Sequence, residues 1–142
     1  MKRFVHRLPG PISYCQCTKL CSPATVEHVI PKMLLKRAHN FGRSSKDMHN
    51  LFSVCRTLNQ DKAAKILGKD FVLDSTTGVT NGTLARSCLY MNDTYQLPVD
   101  KKLVLTWQHL DRLHVPALFE FERNEIIWKY TGVSNKYVEN HI

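Results

Sequence analysis

The sequence lacks the features that mark membrane-spanning, secreted and low-complexity proteins. It contains no apolar run of about 18 residues, the length that a membrane-spanning helix needs. Its first seven residues, Met1–Arg7, are basic, but the apolar core of a secretory signal peptide does not follow them. No internal repeat or linker is visible. We therefore expect no membrane association, and we favour an intracellular protein over one from which a leader has been removed.

The composition is that of an ordinary globular protein. Of the 142 residues, 43% are apolar and 23% are charged, a balance that argues against disorder, a collagen-like repeat and a coiled coil. Domains cluster near about 100–150 residues, so this length suits one of them. The sequence therefore predicts a single domain over residues 1–142.

Acidic residues are scarce at the start of the chain. Residues 1–50 hold two acids against nine Lys and Arg, whereas the rest of the chain is nearly balanced, with eleven basic and ten acidic residues. A basic excess that is concentrated in one part of a protein favours a polyanionic partner, most often a nucleic acid. DNA is the partner that we expect, with RNA as a second candidate.

The five cysteines argue against a fully paired extracellular disulfide framework, because their number is odd. Three of them, Cys15, Cys17 and Cys21, lie within seven residues. With Cys55 as a fourth ligand they could hold a structural zinc ion as tetrahedral thiolates, although this spacing is not that of a standard zinc knuckle. One or two disulfides, or buried thiols, are the alternatives that the sequence leaves open.

Sequence patterns divide the first half of the chain into a lead-in, a strand, a loop and a helix. Residues 1–23 contain three prolines and the cysteine cluster and are predicted to be irregular. Ala24–Ile30 is rich in β-branched residues and precedes a proline, which is typical of a strand. Lys36–His49 is polar and basic and is predicted to be a loop. Leu51–Leu67 has apolar residues at helical spacing after Asn50 in the N-cap position, which predicts a helix.

The second half is predicted to be mainly helical, which makes the fold class α+β. Residues 69–83 are rich in Gly, Ser and Thr and are predicted to be a loop. Leu84–Tyr95 and Lys101–Leu113 carry apolar residues on one face. A third helix is predicted to open at Pro116 and to run to about Tyr130. Four aromatic residues near or in this last helix are predicted to lie in the core: Phe119, Phe121, Trp128 and Tyr130.

Three pieces of sequence carry the residue types of a metal-dependent phosphodiesterase: Glu27-His28-Val29-Ile30-Pro31, Asp47-Met48-His49-Asn50-Leu51, and Asn59. Hydrolysis of a phosphodiester needs a base that activates water and a divalent cation that stabilises charge on the phosphate and on the leaving 3′ oxygen. His28, at a strand end, suits the base because the pKa of a histidine lies near neutral pH. The oxygens of Glu27 and Asn59 are hard ligands of the kind that Mg²⁺ prefers.

Glu27 and His28 can serve one site only if the strand ends or bends at that point. Adjacent residues of an extended strand project to opposite sides of it. Pro31 makes an end of the strand plausible there.

These pieces resemble the His-Asn-His, or ββα-metal, nucleases. Within that group, Ala85–Met91, Trp107–Ile127 and Thr131–Val138 resemble the bacterial endonuclease I family, and Tyr14-Cys15-Gln16-Cys17 resembles its early Tyr-Cys-x-Cys. The resemblance covers roughly residues 13–138 in the same order. It implies a ββα-metal core over residues 24–67 and a helical half over residues 84–138. It also implies a monomeric endonuclease that cleaves DNA, and often RNA, with little sequence preference and leaves 5′-phosphate ends.

The resemblance further implies roles for individual residues. His28 would be the general base, and Glu27 and Asn59 would hold Mg²⁺, for which Mn²⁺ or Ca²⁺ are substitutes. Asn50 would pin the loop that orients His28. An arginine between the two strands would contact the scissile phosphate; Arg43 is the candidate.

Other charged residues near these motifs are expected to have structural roles or to contact phosphate. Arg37 competes with Arg43 for the scissile phosphate because the loop is short. Arg86, Glu122 and Arg123 are expected to make structural hydrogen bonds, although the last two look like a catalytic pair. His49 is expected to be structural or to contact a phosphate.

Two rival functions are compatible with the sequence. One is a non-catalytic basic protein that binds nucleic acid; the intact set of Glu27, His28, Asn50 and Asn59 argues against it. The other is a small interaction module that is stapled by zinc through the cysteines. A zinc staple and a nuclease can coexist.

Overall fold

The chain has an α+β fold in the computed structural model, which describes residues 2–10, 24–55, 64–74 and 78–141. The described residues form seven α-helices, a short 3₁₀ turn and one two-stranded antiparallel sheet. The sheet lies in the first half of the chain and the second half is helical, which confirms the predicted fold class. None of the helices in the described ranges is long and apolar enough to cross a membrane.

The sheet pairs strand β1, Ala24–His28, with strand β2, Leu51–Cys55. In the register of this pairing, Val26 lies opposite Ser53 and His28 lies opposite Leu51. The predicted first strand is confirmed, but it ends at His28, two residues earlier than expected.

The predicted helix over Leu51–Leu67 is wrong at both of its described ends. Leu51–Cys55 is a strand, because its aromatic and β-branched residues pair with β1 along the whole strand. Leu67 makes an isolated parallel bridge with Phe71, so no helix reaches it. Apolar residues three and four apart in so short a window fit either element, and the cross-strand partner decides. Asn59 falls in the range 56–63, which lies outside the described residues.

The segment between the two strands is more ordered than the predicted loop. It contains helix α2, Lys32–Leu35, helix α3, Phe41–Ser44, and the 3₁₀ turn Met48–Asn50. Asp47 caps this turn, since its carboxylate accepts a hydrogen bond from the backbone N–H of His49 at 3.1 Å. Asn50 therefore lies in a turn before a strand, not at the N-cap of a helix.

Five further helices lie in the described residues; the three longest agree with the sequence patterns except at their ends, whereas the two short ones were not predicted. The five are α1, Lys2–Arg7, α4, Asn81–Tyr95, α5, Lys101–Leu113, α6, Leu118–Thr131, and α7, Lys136–Glu139. The lead-in is thus helical over residues 2–7, where an irregular chain was expected. Helix α4 begins three residues early because Thr80 and Thr83 form a reciprocal capping box. Helix α6 begins two residues after Pro116.

Helix α4 is the centre of the molecule. Each of its residues from 81 to 91 is buried, and the helix packs against α5. On α5 only one face is buried, formed by Leu103, Trp107 and Leu110 at the predicted helical spacing. The indole Nε1 of Trp107 donates a hydrogen bond of 2.9 Å to the backbone carbonyl of Leu67, which ties the loop before α4 to this core.

Helix α6 turns a polar face inward, and the prediction that its aromatic residues form core is wrong for three of them. Phe121, Trp128 and Tyr130 are 43%, 51% and 66% exposed, whereas Phe119 packs partly buried against the core. The buried residues of α6 are Glu120, Arg123, Asn124 and Ile127. Their polar groups have hydrogen-bond partners on neighbouring elements, as described below, and this permits their burial.

Candidate active site

The end of β1 opens into a cleft of about 350 Å³, the His28 cleft, which is lined by Val26, Glu27, His28, Pro31, Lys32, Met33 and Ala64. Because the strand ends at His28, the adjacent side chains of Glu27 and His28 both reach this cleft. Glu27 is only 2% exposed, and His28 is half-buried. The structure therefore brings these two predicted site residues together.

A backbone carbonyl orients the imidazole of His28. Its Nε2 lies 2.8 Å from the carbonyl oxygen of Ser45, just after α3. A carbonyl can only accept a hydrogen bond, so Nε2 donates and carries the proton. In the neutral ring the basic nitrogen is then Nδ1, and the tautomer is fixed by the fold.

Asn50 clamps the chain just beyond His28. Its side-chain Oδ1 accepts from the backbone N–H of Ile30 at 2.8 Å, and its Nδ2 donates to the carbonyl of Ile30 at 3.1 Å. Its own backbone carbonyl accepts from the N–H of Val29 at 3.0 Å. Asn50 is fully buried, so these bonds are shielded from water. The turn and the end of β1 are thereby held in one arrangement.

Two tyrosines of α4 anchor the turn that carries Asn50. The hydroxyl groups of Tyr90 and Tyr95 donate to Oδ2 of Asp47 at 2.7 and 2.6 Å. Burial, together with the charge and hydrogen bonds of Asp47, raises the pKa of both phenols, although the nearby Arg43 opposes the rise at Tyr95. The phenols therefore remain donors, and Asp47 stays fixed to α4.

The C-terminal segments hold the same turn from a second side. Arg123 of α6 donates through Nη2 to the carbonyls of Met48 and Leu51 at 2.7 and 2.5 Å, and its guanidinium lies 3.9 Å above the ring of Phe52. Burial lowers the pKa of Arg123 to about 10, so it remains charged at neutral pH. The expected structural role of Arg123 agrees with these bonds.

His49 is structural in its contacts. It is buried at 1% exposure, and its Nε2 lies 2.8 Å from the carbonyl of Val133. Its ring also packs against that of Tyr90, with 4.6 Å between the ring centres. Burial lowers the pKa of His49 below its ordinary value, although the hydrogen bond to Val133 acts in the opposite direction.

A buried ion pair joins α4 to α6. Arg86, with no exposed surface, donates through Nε to Oε1 of Glu120 at 2.7 Å and through Nη2 to Oε2 at 2.9 Å. Its Nη1 donates to Asp111 and to the carbonyl of His114 at the end of α5. Arg86 is structural, as expected, but the carboxylate involved is Glu120; Glu122 is exposed.

The other predicted site residues lie elsewhere or outside the described chain. Arg43 is exposed on α3 and is not among the described side chains that line the His28 cleft. Arg37 lines a neighbouring cleft. Three of the four candidate zinc or disulfide cysteines, Cys15, Cys17 and Cys21, lie outside the described residues, and of Cys55 only the backbone is described.

Two of the residues that hold the site were missed by the sequence reasoning. Asp47 received no role, although it is the one acidic residue between Glu27 and Asp61 in a basic stretch, and that isolation is a usable signal. Glu120 was passed over for Glu122, because nothing in the sequence indicates which face of α6 turns inward. The contact of His28 with the backbone carbonyl of Ser45 could not be predicted from the sequence, because every residue has such a carbonyl.

The side chains that line the His28 cleft fit a magnesium ion in their chemistry. Mg²⁺ binds through one or two carboxylates and keeps several waters, and Glu27 is the one carboxylate residue among the described residues that line the cleft. Within the part of the chain that the structure describes, no three His, Cys, Asp or Glu side chains are grouped as ligands. The described residues thus supply one carboxylate ligand and no larger cluster.

Sequence comparison relates the chain to two bacterial deoxyribonucleases. It matches no family model. It is 28% identical over 124 aligned positions to an extracellular deoxyribonuclease of Aeromonas hydrophila, covering 72% of this chain and 53% of that protein. It is 30% identical over 124 positions to a periplasmic deoxyribonuclease of the same organism, covering 72% of this chain and 51% of that protein. The chain is a distant relative of deoxyribonucleases.

The chain spans about half the length of these curated relatives. Their names give locations outside the cytoplasm, so the expectation of an intracellular protein gains no support from them.

Proposed function

We propose that this chain is a metal-dependent endonuclease that hydrolyses phosphodiester bonds of DNA in the His28 cleft. The observation that carries the proposal is the pairing of an oriented imidazole with a buried carboxylate at one strand end. Similarity to two deoxyribonucleases supports DNA as the substrate. RNA is a second substrate to be tested.

His28 acts as the general base. With Nε2 held on the carbonyl of Ser45, Nδ1 takes a proton from the attacking water, and the same hydrogen bond stabilises the imidazolium that forms. Asn50 acts as a positioning residue, since it fixes the backbone two residues after His28. The water attacks phosphorus in line with the leaving 3′ oxygen, which leaves a 5′-phosphate on the other product.

Glu27 and Asn59 would hold the divalent cation. When bound, the cation supplies charge stabilisation for the phosphate and for the leaving oxygen. Mg²⁺ is the proposed ion, with Mn²⁺ and Ca²⁺ as substitutes to be compared. A structural zinc on the cysteines remains a separate proposal, which metal analysis of the purified protein tests.

Two cations compete for the scissile phosphate. Arg43 is the candidate from its position between the strands, but Lys32 is the cation that lines the His28 cleft among the described residues. We therefore favour Lys32 for this contact. Parallel assays of Lys32→Ala and Arg43→Ala, each at several salt concentrations, decide between them, because the variant that has lost the contact is weakened most at low salt and depends less on salt than the wild type does.

Plasmid DNA tests the function itself. Purified protein is incubated with supercoiled plasmid in Mg²⁺, Mn²⁺, Ca²⁺ or EDTA, and the ends of the products are analysed for phosphate. We expect nicking that EDTA abolishes, and products with 5′-phosphate and 3′-hydroxyl ends. A folded protein that binds DNA but cleaves neither DNA nor RNA with any of these ions would contradict the proposal and favour the non-catalytic binder.

A further inference from the structure

A second cleft adjoins the site. This cleft, of about 590 Å³, is called the Lys69 cleft, and its lining includes Met33, Arg37, Ile66, Lys69, Lys102 and Leu103. Met33 lines both clefts and is 55% exposed, so the two clefts adjoin at this side chain.

The rim of the Lys69 cleft is cationic. Arg37, Lys69 and Lys102 reach it from three separate elements, namely the turn after α2, the loop before α4 and the first turn of α5. All three are exposed. Asp100 also lines the cleft, but its carboxylate accepts from the backbone N–H of Leu103 at 2.8 Å as the cap of α5. The cleft therefore carries an excess of positive charge.

The floor of the Lys69 cleft is apolar. Leu34, Ile66 and Leu103 are buried core residues that reach its surface. An apolar floor below a cationic rim suits a chain whose sugars and bases are partly apolar and whose linking groups are anionic. A small anion alone would make no favourable contacts with an apolar floor.

The backbone of the loop that carries Lys69 has little conformational freedom. Gly68 has φ of +81°, and a Cβ at this position would lie 2.9 Å from Cγ2 of Thr106. The backbone N–H of Ile66 donates to Oδ2 of Asp70, and the N–H of Asp70 donates to the carbonyl of Ile66, both at 2.8 Å. Lys69 thus projects from a preorganised backbone, so less entropy is lost when it binds.

We propose that the Lys69 cleft binds the DNA backbone adjacent to the phosphodiester that is cleaved in the His28 cleft. This inference rests on the proposed function and adds a second subsite to it. Arg37, Lys69 and Lys102 contact phosphates, and the apolar floor contacts sugars and bases without reading their sequence. The strand then runs across Met33 from one cleft to the other.

Binding of a fluorescent DNA duplex tests the inference. The measurement uses the full chain with His28→Ala, which removes cleavage, and follows Kd over a series of salt concentrations. The double variant Lys69→Ala/Lys102→Ala is compared with Lys101→Ala/Lys129→Ala, which removes the same charge from exposed positions outside the cleft. The logarithm of the association constant falls linearly with the logarithm of the salt concentration, by roughly 0.9 per phosphate contact. We expect the cleft double variant to make this slope shallower by about two, and the control double variant to leave it unchanged.

The outcomes separate this inference from the proposed function. Equal Kd and equal salt slope for the two double variants would overturn the inference, while plasmid cleavage by the wild type would leave the proposed function standing. A wild type that neither binds nor cleaves DNA would overturn both. A thermal melt of each variant confirms that these exposed substitutions leave the fold intact.

Discussion

Among single residues, Asn50 has the strongest hold on the geometry of the His28 cleft. Asn50→Ala removes both side-chain hydrogen bonds to Ile30 and leaves two buried backbone groups without them. At about 1–3 kcal/mol for each such group, we expect a loss of roughly 2–6 kcal/mol in the free energy of unfolding, measured by urea denaturation. We also expect kcat for DNA cleavage to fall more than KM rises, because His28 is then held less firmly.

The control for Asn50 is Asn140→Ala, since Asn140 is exposed at the end of α7. It should change the unfolding free energy by less than about 0.5 kcal/mol. Equal effects of the two substitutions would show that the clamp on Ile30 contributes nothing.

The burial of His49 predicts a pH dependence of stability. Because its pKa is lowered in the folded protein, the unfolded chain binds more protons as the pH falls below the ordinary value of 6.5. Stability should therefore decrease on acidification below 6.5, with a contribution from His49 of at most about 1.4 kcal/mol per pH unit. Urea unfolding between pH 5 and 7.5 measures the slope.

His49→Gln should reduce that slope, whatever its effect on stability at neutral pH. Exposed His109→Gln is the control for the loss of an imidazole at the surface. A slope that is the same in wild type and His49→Gln would contradict the assignment.

The role of a site residue could be predicted from the sequence where a local pattern, such as the end of a strand, marks its position. Glu27 and His28 were found because a proline and a β-branched run mark the end of a strand. Asp47 and Glu120 were not, because their importance depends on which side chains of α4 meet them. These hydrogen bonds join residues that are 34 to 48 positions apart in the sequence, and no local sequence pattern predicts such contacts.

Among elements, the link between α4 and the 3₁₀ turn is the one that supports the His28 cleft. Tyr90→Phe and Tyr95→Phe each remove one hydrogen bond to the carboxylate of Asp47. We expect each to cost about 1.5–3 kcal/mol of unfolding free energy, the usual range for a bond to a charged group. The double variant should also lower kcat, because Ser45, which orients His28, lies two residues before Asp47.

A purely structural role for these tyrosines predicts a different result. The double variant would then lose stability but would keep its kcat at a temperature where it is fully folded. Tyr130→Phe, at an exposed position, serves as the control for the loss of a hydroxyl group.

The link between α4 and α6 depends on Glu120. Glu120→Gln removes the charge that faces Nε and Nη2 of the buried Arg86, although Asp111 still pairs with Nη1, and breaking a buried pair in this way costs about 3–5 kcal/mol. Glu122→Gln, two residues along the same helix but exposed, should stay within about 0.5 kcal/mol of wild type. Denaturation midpoints that rank the two in the opposite order would contradict the assignment of the buried carboxylate.

Helices with one apolar face were predictable and the short strand β2 was not. Helix α5 buries Leu103, Trp107 and Leu110 at the expected spacing, so its pattern was sufficient. Strand β2 has five residues, too few to separate a period of two from one of 3.6, and its partner β1 lies more than twenty residues earlier. The buried face of helix α6 was predicted wrongly, because that face is mainly polar and most of the aromatic residues of the helix are exposed.

For the whole molecule, the concentration of basic residues near the start of the chain was the most informative single observation. The segment between the strands supplies Lys32 to the His28 cleft and Arg37 to the Lys69 cleft. The later elements supply Lys69 and Lys102 on the far side, which the charge count alone did not indicate. How these cations surround two adjoining clefts is a property of the fold.

Hydrolysis in the His28 cleft depends most directly on His28, and the rate of Mg²⁺-dependent plasmid cleavage by His28→Ala is the measurement that tests this dependence. His39→Ala is the matched control, because His39 is exposed. We predict that His28→Ala slows cleavage by about 10²–10⁴-fold while its thermal unfolding stays cooperative, and that His39→Ala cleaves as the wild type does. Equal cleavage rates for the two variants would contradict the account.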